Sequence, residues 1–100
     1  MKLFIDTSNS ERIIVGFDGE RFEADSKKQK AQMLLSFIDE LLKKKGKKIK
    51  NVTGVEVVTG PGSFTGLRVG VSVANTIGWV LGVPVNGKNV TKAGPVEPTY

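Results

Sequence analysis

The chain contains no cysteine and no histidine. Without cysteine, no disulfide supports the fold and no thiolate serves as nucleophile or metal ligand. Without histidine, the usual general base near neutral pH and the commonest metal ligand are missing, so any catalysis would rest on carboxylates, hydroxyls or lysines. Long apolar runs are lacking too. Met1-Lys2-Leu3-Phe4-Ile5-Asp6 has only three apolar residues in a row before an acid, too short for a signal-peptide core or a membrane span, and a soluble cytoplasmic protein is expected. No cofactor and no metal are expected.

What is present suits one domain: 100 residues, 39% of them apolar, are enough for a single core. The net charge of +5 is concentrated, because Lys27 to Lys50 holds nine lysines against Asp39 and Glu40. Such a run reads either as a solvated helix face and loop or as a footprint for RNA. No aromatic or arginine interleaves Lys43 to Lys50 to read bases.

Leu3-Phe4-Ile5 reads as a short buried strand. Arg12 to Phe17 and Glu20 to Glu23 follow as two more, joined through Asp18-Gly19, a pair suited to the positive φ angles of a tight hairpin turn. From Asp25 or Ser26 as N-cap, a helix is expected to about Lys45, with Gly46 just past its end. Ala31, Leu34, Leu35, Ile38 and Leu42 share one face of it, and Met33, Phe37 and Leu41 widen the apolar arc to about 200°. A helix lying on one sheet needs about half that arc, so a second apolar partner is implied.

Val55 to Val58 is the next strand. A glycine-rich loop follows it, Gly60-Pro61-Gly62-Ser63-Phe64-Thr65-Gly66, and leads into a second helix from about Phe64 to Leu81. Val83-Pro84-Val85 reads as a last strand. On the second helix Leu67, Val71, Ala74, Ile77 and Leu81 form the core stripe, while Val69, Val73 and Val80 make an extra one. Gly66, Gly70, Ala74, Gly78 and Gly82 form a ridge of small residues that gives up helix propensity for close approach, either to another helix or to the chain's own sheet.

The expected fold is α/β: a mixed five-stranded sheet in the order β-β-β-α-β-α-β, with both helices on one face. Strand alternation puts Leu3, Ile5, Ile13, Val15, Val55 and Val57 on the helix side. The other side is expected to be covered by the tail, running extended across it or along a sheet edge, with Val90, Val96 and Tyr100 over Phe4, Ile14 and Val58. The two surplus stripes lie side by side like half of a four-helix bundle. Met33, Phe37, Leu41, Val69, Val73 and Val80 are therefore expected to form one exposed patch that a partner buries.

A glycine-rich loop between a strand and a helix can cradle an anion at the helix N-terminus. This one lacks the Gly-Lys-Ser/Thr ending of a P-loop and the spacing of a dinucleotide fingerprint. The full run, Gly60, Pro61, Gly62, Ser63, Phe64, Thr65, Gly66, Leu67 and Arg68, continuing to Val69-Gly70, resembles the signature of the TsaB family. Ile5-Asp6-Thr7-Ser8 resembles that family's opening strand and loop. The catalytic sister family, TsaD, has a similar Gly-Pro-Gly but holds iron through histidines, which this chain lacks.

The resemblance spans about residues 1–87 and implies the first lobe of an actin-like (ribonuclease H-like) fold, with residues 88–100 as a tail on the same domain. A natural form without the second lobe is expected rather than a truncated one. The resemblance further implies a non-catalytic scaffold or activator of a TsaD-like enzyme that places threonylcarbamoyl on tRNA adenosine. The implied partners are TsaD and a second copy of the chain, through the two-helix face, with a TsaE-like ATPase also in the machinery. Transfer RNA enters only as part of the complex, and no membrane is involved. Asp6 sits where actin-fold kinases place a magnesium-handling carboxylate, and Asp6, Thr7 and Ser8 read either as a vestigial phosphate loop or as a capped turn. Two other functions compete: a nucleotide-binding phosphotransferase fragment using Asp6 and Gly60 to Gly66, and an RNA-binding module using the lysine run.

Overall fold

The computed structural model describes residues 1–25 and 30–99. Strands β1 (Lys2–Asp6), β2 (Arg12–Phe17) and β3 (Glu20–Asp25) form an antiparallel meander. Asp18 and Gly19 make the expected turn, with φ of 49° and 93°. Helix α1 (Lys30–Lys44) carries the chain to a 3-10 turn at Ile49–Asn51 and then to β4 (Gly54–Val57), which pairs parallel to β1. Helix α2 (Phe64–Leu81) follows, and a short α3 (Val90–Ala93) lies near the end.

The sheet has four strands in the order β3-β2-β1-β4. The fifth strand expected at Val83 to Val85 reduces to a single parallel bridge between Val55 and Val85. The cause is local. Proline 84 has no N–H to give to a ladder, and Asn86 and Gly87, at φ of 50° and 76°, turn the chain back at once. Val85 then exchanges both its backbone hydrogen bonds with Lys88, at 2.9 Å each, leaving Pro84 and Asn86 to pair with Val55. An Asn-Gly pair after a short apolar run is a turn signal, and here it outweighs the β-propensity of the two valines.

Strand alternation sorts the sheet as expected. Leu3, Ile5, Ile13, Val15, Val55 and Val57 are all buried, and they share a core with Leu34, Ile38 and Leu42 of α1 and Val71, Ala74 and Ile77 of α2. Leu35, assigned to the core stripe, is instead 53% exposed. The opposite face is shielded by its own charged side chains: the Arg21 guanidinium lies 4.0 Å from the centre of the Phe4 ring, and Lys2 pairs with Glu56 at 3.3 Å.

The tail takes a different route from the one expected. Val90 is buried, and a Cβ on Gly78 of α2 would meet it at 3.2 Å. Further on, the Asn75 side chain holds Val96 as one peptide group holds another. Its Nδ2 donates to Val96 O at 2.8 Å, and Val96 N donates to Asn75 Oδ1 at 2.9 Å. The tail therefore straps along α2 and meets the sheet side only beyond the end of β4, where Thr99 N donates to Thr59 O at 2.7 Å. Val90 joins the core and Val96, partly buried, packs against it, which draws the tail to α2 rather than to Phe4 and Ile14. The proposed N-cap at Ser26 and the expected contact of Tyr100 lie outside the described residues.

Candidate functional site

Two regions carry the residues singled out from the sequence. The first is the junction where β1 and β4 end and α2 begins. Ser63 caps α2, its hydroxyl accepting from Gly66 N at 3.2 Å, while its own N–H donates to Ser8 O at 2.7 Å. Asp6 Oδ1 accepts from Ser8 N at 2.9 Å and from Ser8 Oγ at 2.6 Å, which closes a turn of the kind aspartate makes two residues ahead of a backbone N–H. Thr7 is fully buried and donates its hydroxyl to Gly66 O at 2.5 Å.

These contacts require glycine. A Cβ on Gly62 would meet Ser8 at 2.6 Å, one on Gly70 would run into Thr7 Oγ1, and one on Gly60 would run into the Thr99 carbonyl. The ridge of small residues is thus used within the chain in two ways: Gly70 lies against Thr7 and Ile5 at the end of β1, while Gly78 lies against Val85 and against Val90 of α3.

Chemically this junction is a joint. The Asp6 carboxylate carries two donors of Ser8, and the N–H groups of Ser63 and Gly66 are taken within the chain. Thr99 lies over Gly60, and Thr7 has its hydroxyl engaged. Asp6, Thr7 and Ser8 come together with Gly62, Ser63, Gly66 and Gly70, and what they do is hold α2 to the end of β1.

The second region is the outer surface of the two helices. Of the six residues expected there, Val80 is 71% and Met33 38% exposed, Phe37 and Val69 are half-buried, and Leu41 and Val73 are 5% and 8% exposed and belong to the core. Val69 and Val73 line a groove of about 400 Å³ together with Thr65, Arg68, Ser72 and Ala31 of α1. Leu35 sits one helical turn on from Ala31, in the same row. Met33 and Phe37 are displaced from that row by two residues, which turns them to the opposite flank of α1. The six residues are therefore not one patch. Leu35 and Val80 are 53% and 71% exposed on the two helices, and Trp79, 63% exposed, lines a separate groove with Asn75, Val90 and Pro95. Arg68 is the only charged residue in the eighteen of α2.

Two asparagines were missed by the sequence reading. Asn75 interrupts an apolar helix, which is a poor place for it unless its side chain has a partner, and the partner is Val96. Asn86 does the same for the open edge of β4, donating to Val57 O at 3.0 Å and accepting from Val57 N at 2.8 Å.

Comparison with known proteins fits this architecture. A family profile described as "TsaD: tRNA N6-adenosine threonylcarbamoyltransferase" matches residues 24–93. The tRNA N6-adenosine threonylcarbamoyltransferase of Geotalea uraniireducens is 35% identical over 74 residues, 74% of this chain and 21% of its own length. The tRNA threonylcarbamoyladenosine biosynthesis protein TsaB of Bacillus subtilis is 40% identical over 37 residues, 37% of this chain and 16% of its own. Among solved structures, YeaZ from Pseudomonas aeruginosa superimposes with a TM-score of 0.70 at 28% identity, over 84% of this chain and 41% of that one. The chain thus spans about two fifths of that structure and about a fifth or less of those two relatives.

Proposed function

The chain is a TsaB-like member of the family described as TsaD, tRNA N6-adenosine threonylcarbamoyltransferase, and from that premise we propose that it acts as a non-catalytic scaffold or activator for a TsaD-type subunit in the cytoplasm. The observation that carries this reading is the outer surface of α2. Val80 and Trp79 stand 71% and 63% exposed on a helix with a single charged residue. Exposed apolar surface of this kind is a common mark of a protein interface.

The junction at Gly60 to Gly66, by contrast, is closed by the chain itself, and the sequence offers no histidine for the chemistry of the catalytic relatives. Leu35, Val69 and Val80 are the residues assigned to the contact, with Val73 packed behind them. Met33 and Phe37 would join only for a partner that wraps round the outer flank of α1. A second copy of the chain can use the same surface, and a TsaE-like ATPase and tRNA belong to the larger assembly.

The test is binding to a TsaD-type subunit followed by size-exclusion chromatography and calorimetry. Val80→Glu is expected to weaken the complex by at least about tenfold, roughly 1.4 kcal/mol, with the melting temperature of the free chain unchanged. Full binding by that variant, or no binding by the unmodified chain, would overturn the proposal.

A further inference from the structure

We propose that Lys47, Lys48 and Lys50, on the turn between α1 and β4, form a contact surface for the phosphate backbone of RNA; that the RNA is a tRNA rests on the function proposed above. No acidic residue occurs between Glu40 and Glu56. At the end of α1, Lys43 is taken by Asp39 at 3.0 Å and Lys45 by Glu20. Among the described residues, Lys47, Lys48 and Lys50 form no ion pair. The helix dipole accounts for lysines in the last turn of α1, but its influence ends there. These three lie beyond the helix end, past Gly46, so helix stability does not explain them.

The turn holds them in a fixed frame. Lys47 N donates to Leu42 O at 2.9 Å, Lys48 N to Asn51 Oδ1 at 2.9 Å, Asn51 N to Lys48 O at 2.9 Å and Val52 N to Ile49 O at 3.0 Å. Val52, buried, anchors the turn to the core. The α-amino group of Met1 adds a further positive charge, 3.4 Å from Asn51 O and 3.2 Å from Thr53 Oγ1. The acids of the neighbouring hairpin are engaged, Asp18 by Lys2 N at 2.9 Å and Glu20 by Lys45.

Lysines are compact point charges, and no aromatic stands among these three, so the surface would grip phosphate oxygens without reading sequence. A membrane surface fits less well, because peripheral binding needs buried apolar area and Ile49, 41% exposed, is the only large apolar side chain on the turn. The turn lies beside the start of β1, whereas the Gly60 junction lies beyond its end.

The experiment titrates the full chain with a tRNA transcript by fluorescence anisotropy over a range of salt concentrations, for the unmodified chain, K47E/K48E/K50E and K47R/K48R/K50R. The logarithm of the affinity should fall by about 0.7–0.9 per phosphate neutralised for each tenfold rise in salt. The glutamate variant should lose at least about tenfold in affinity and roughly two units of that slope, while the arginine variant keeps both. Equal affinity and slope for the glutamate variant would overturn the inference. So would lysine-dependent binding to anionic phospholipid vesicles with none to tRNA. Binding of the TsaD-type subunit is measured alongside. If it fails while lysine-dependent tRNA binding persists, only the scaffold role falls; if it succeeds while tRNA binding is insensitive to the lysines, only this inference falls.

Discussion

The two ends of the β1–β4 pair are built from similar material and finish in opposite states. Each is a glycine-bearing connection between a strand and a helix. Where the strands end, polar groups are consumed inside the chain: Thr7 by Gly66, Ser8 by Asp6, Ser63 by Ser8 and Thr99 by Thr59. Where they begin, the backbone of the lysine turn is equally satisfied, yet its side chains remain in solvent. Backbone order is common to both ends. What differs is whether the polar side chains are spent on the fold, and at the open end Lys47, Lys48 and Lys50 are left in solvent to meet another molecule.

The sharpest way to break this contrast is to open the closed end. Gly70→Leu puts a side chain where Thr7 Oγ1 lies and separates the Thr7 hydroxyl from Gly66 O. Overpacking costs about 1–3 kcal/mol and a lost buried hydrogen bond about 1–3 more. A loss near 3 kcal/mol is expected in urea unfolding, although leucine is the better helix former. An unchanged midpoint would mean that α2 does not depend on close contact with the end of β1.

A smaller effect is expected at the strap that covers this end. Asn75→Ala removes both hydrogen bonds to Val96, worth about 1 kcal/mol each. Because the groove beside Asn75 is lined by Trp79 and Pro95, release of the tail should change the fluorescence of the single tryptophan. It should also open residues 95–99 to protease. A loss of about 1–2 kcal/mol with no change at Trp79 would show that the tail stays in place by other contacts.

Local signals were the legible part of this fold. Asp18-Gly19 located the hairpin, β4 was found to within a residue at each end, and Gly82 marked the stop of α2 at Leu81. Apolar periodicity identified both helices but not the width of their buried faces. Leu35 and Val73 sit near the margins of the two arcs, and whether a margin is buried depends on how closely α1 and α2 approach. Val73 and Leu41 went to the core, and Leu35 went to solvent. The loss of the fifth strand was written locally, in Pro84 and the Asn86-Gly87 turn, and was outweighed in the reading by the two valines. The course of the tail was not legible, because it depends on the long-range pairing of the Asn75 side chain with Val96, across 21 residues. The glycine ridge was visible as a pattern, but its neighbour, Thr7, is 63 positions away and carries no mark in the sequence.

The smallest effect is expected at the open end, and its sign separates side chains used by the fold from side chains held beside it. In K47E/K48E/K50E each substitution changes the charge by two, so the chain goes from +5 by −6 to −1. The backbone hydrogen bonds of the turn use N–H and carbonyl groups and the Asn51 side chain, all of which the variant keeps. Surface changes away from such features stay within about 0.5 kcal/mol. What remains is repulsion among the cations of the turn, the neighbouring Lys44 and the Met1 amino group, which the variant relieves. A small gain in melting temperature is therefore expected at low salt, and it should vanish near 1 M salt, where charges are screened beyond about 3 Å. A loss of about 2 kcal/mol or more, persisting at high salt, would mean that the lysine stems pack against the body of the protein. The open end would then be as much a part of the framework as the closed one, and the difference between them would disappear.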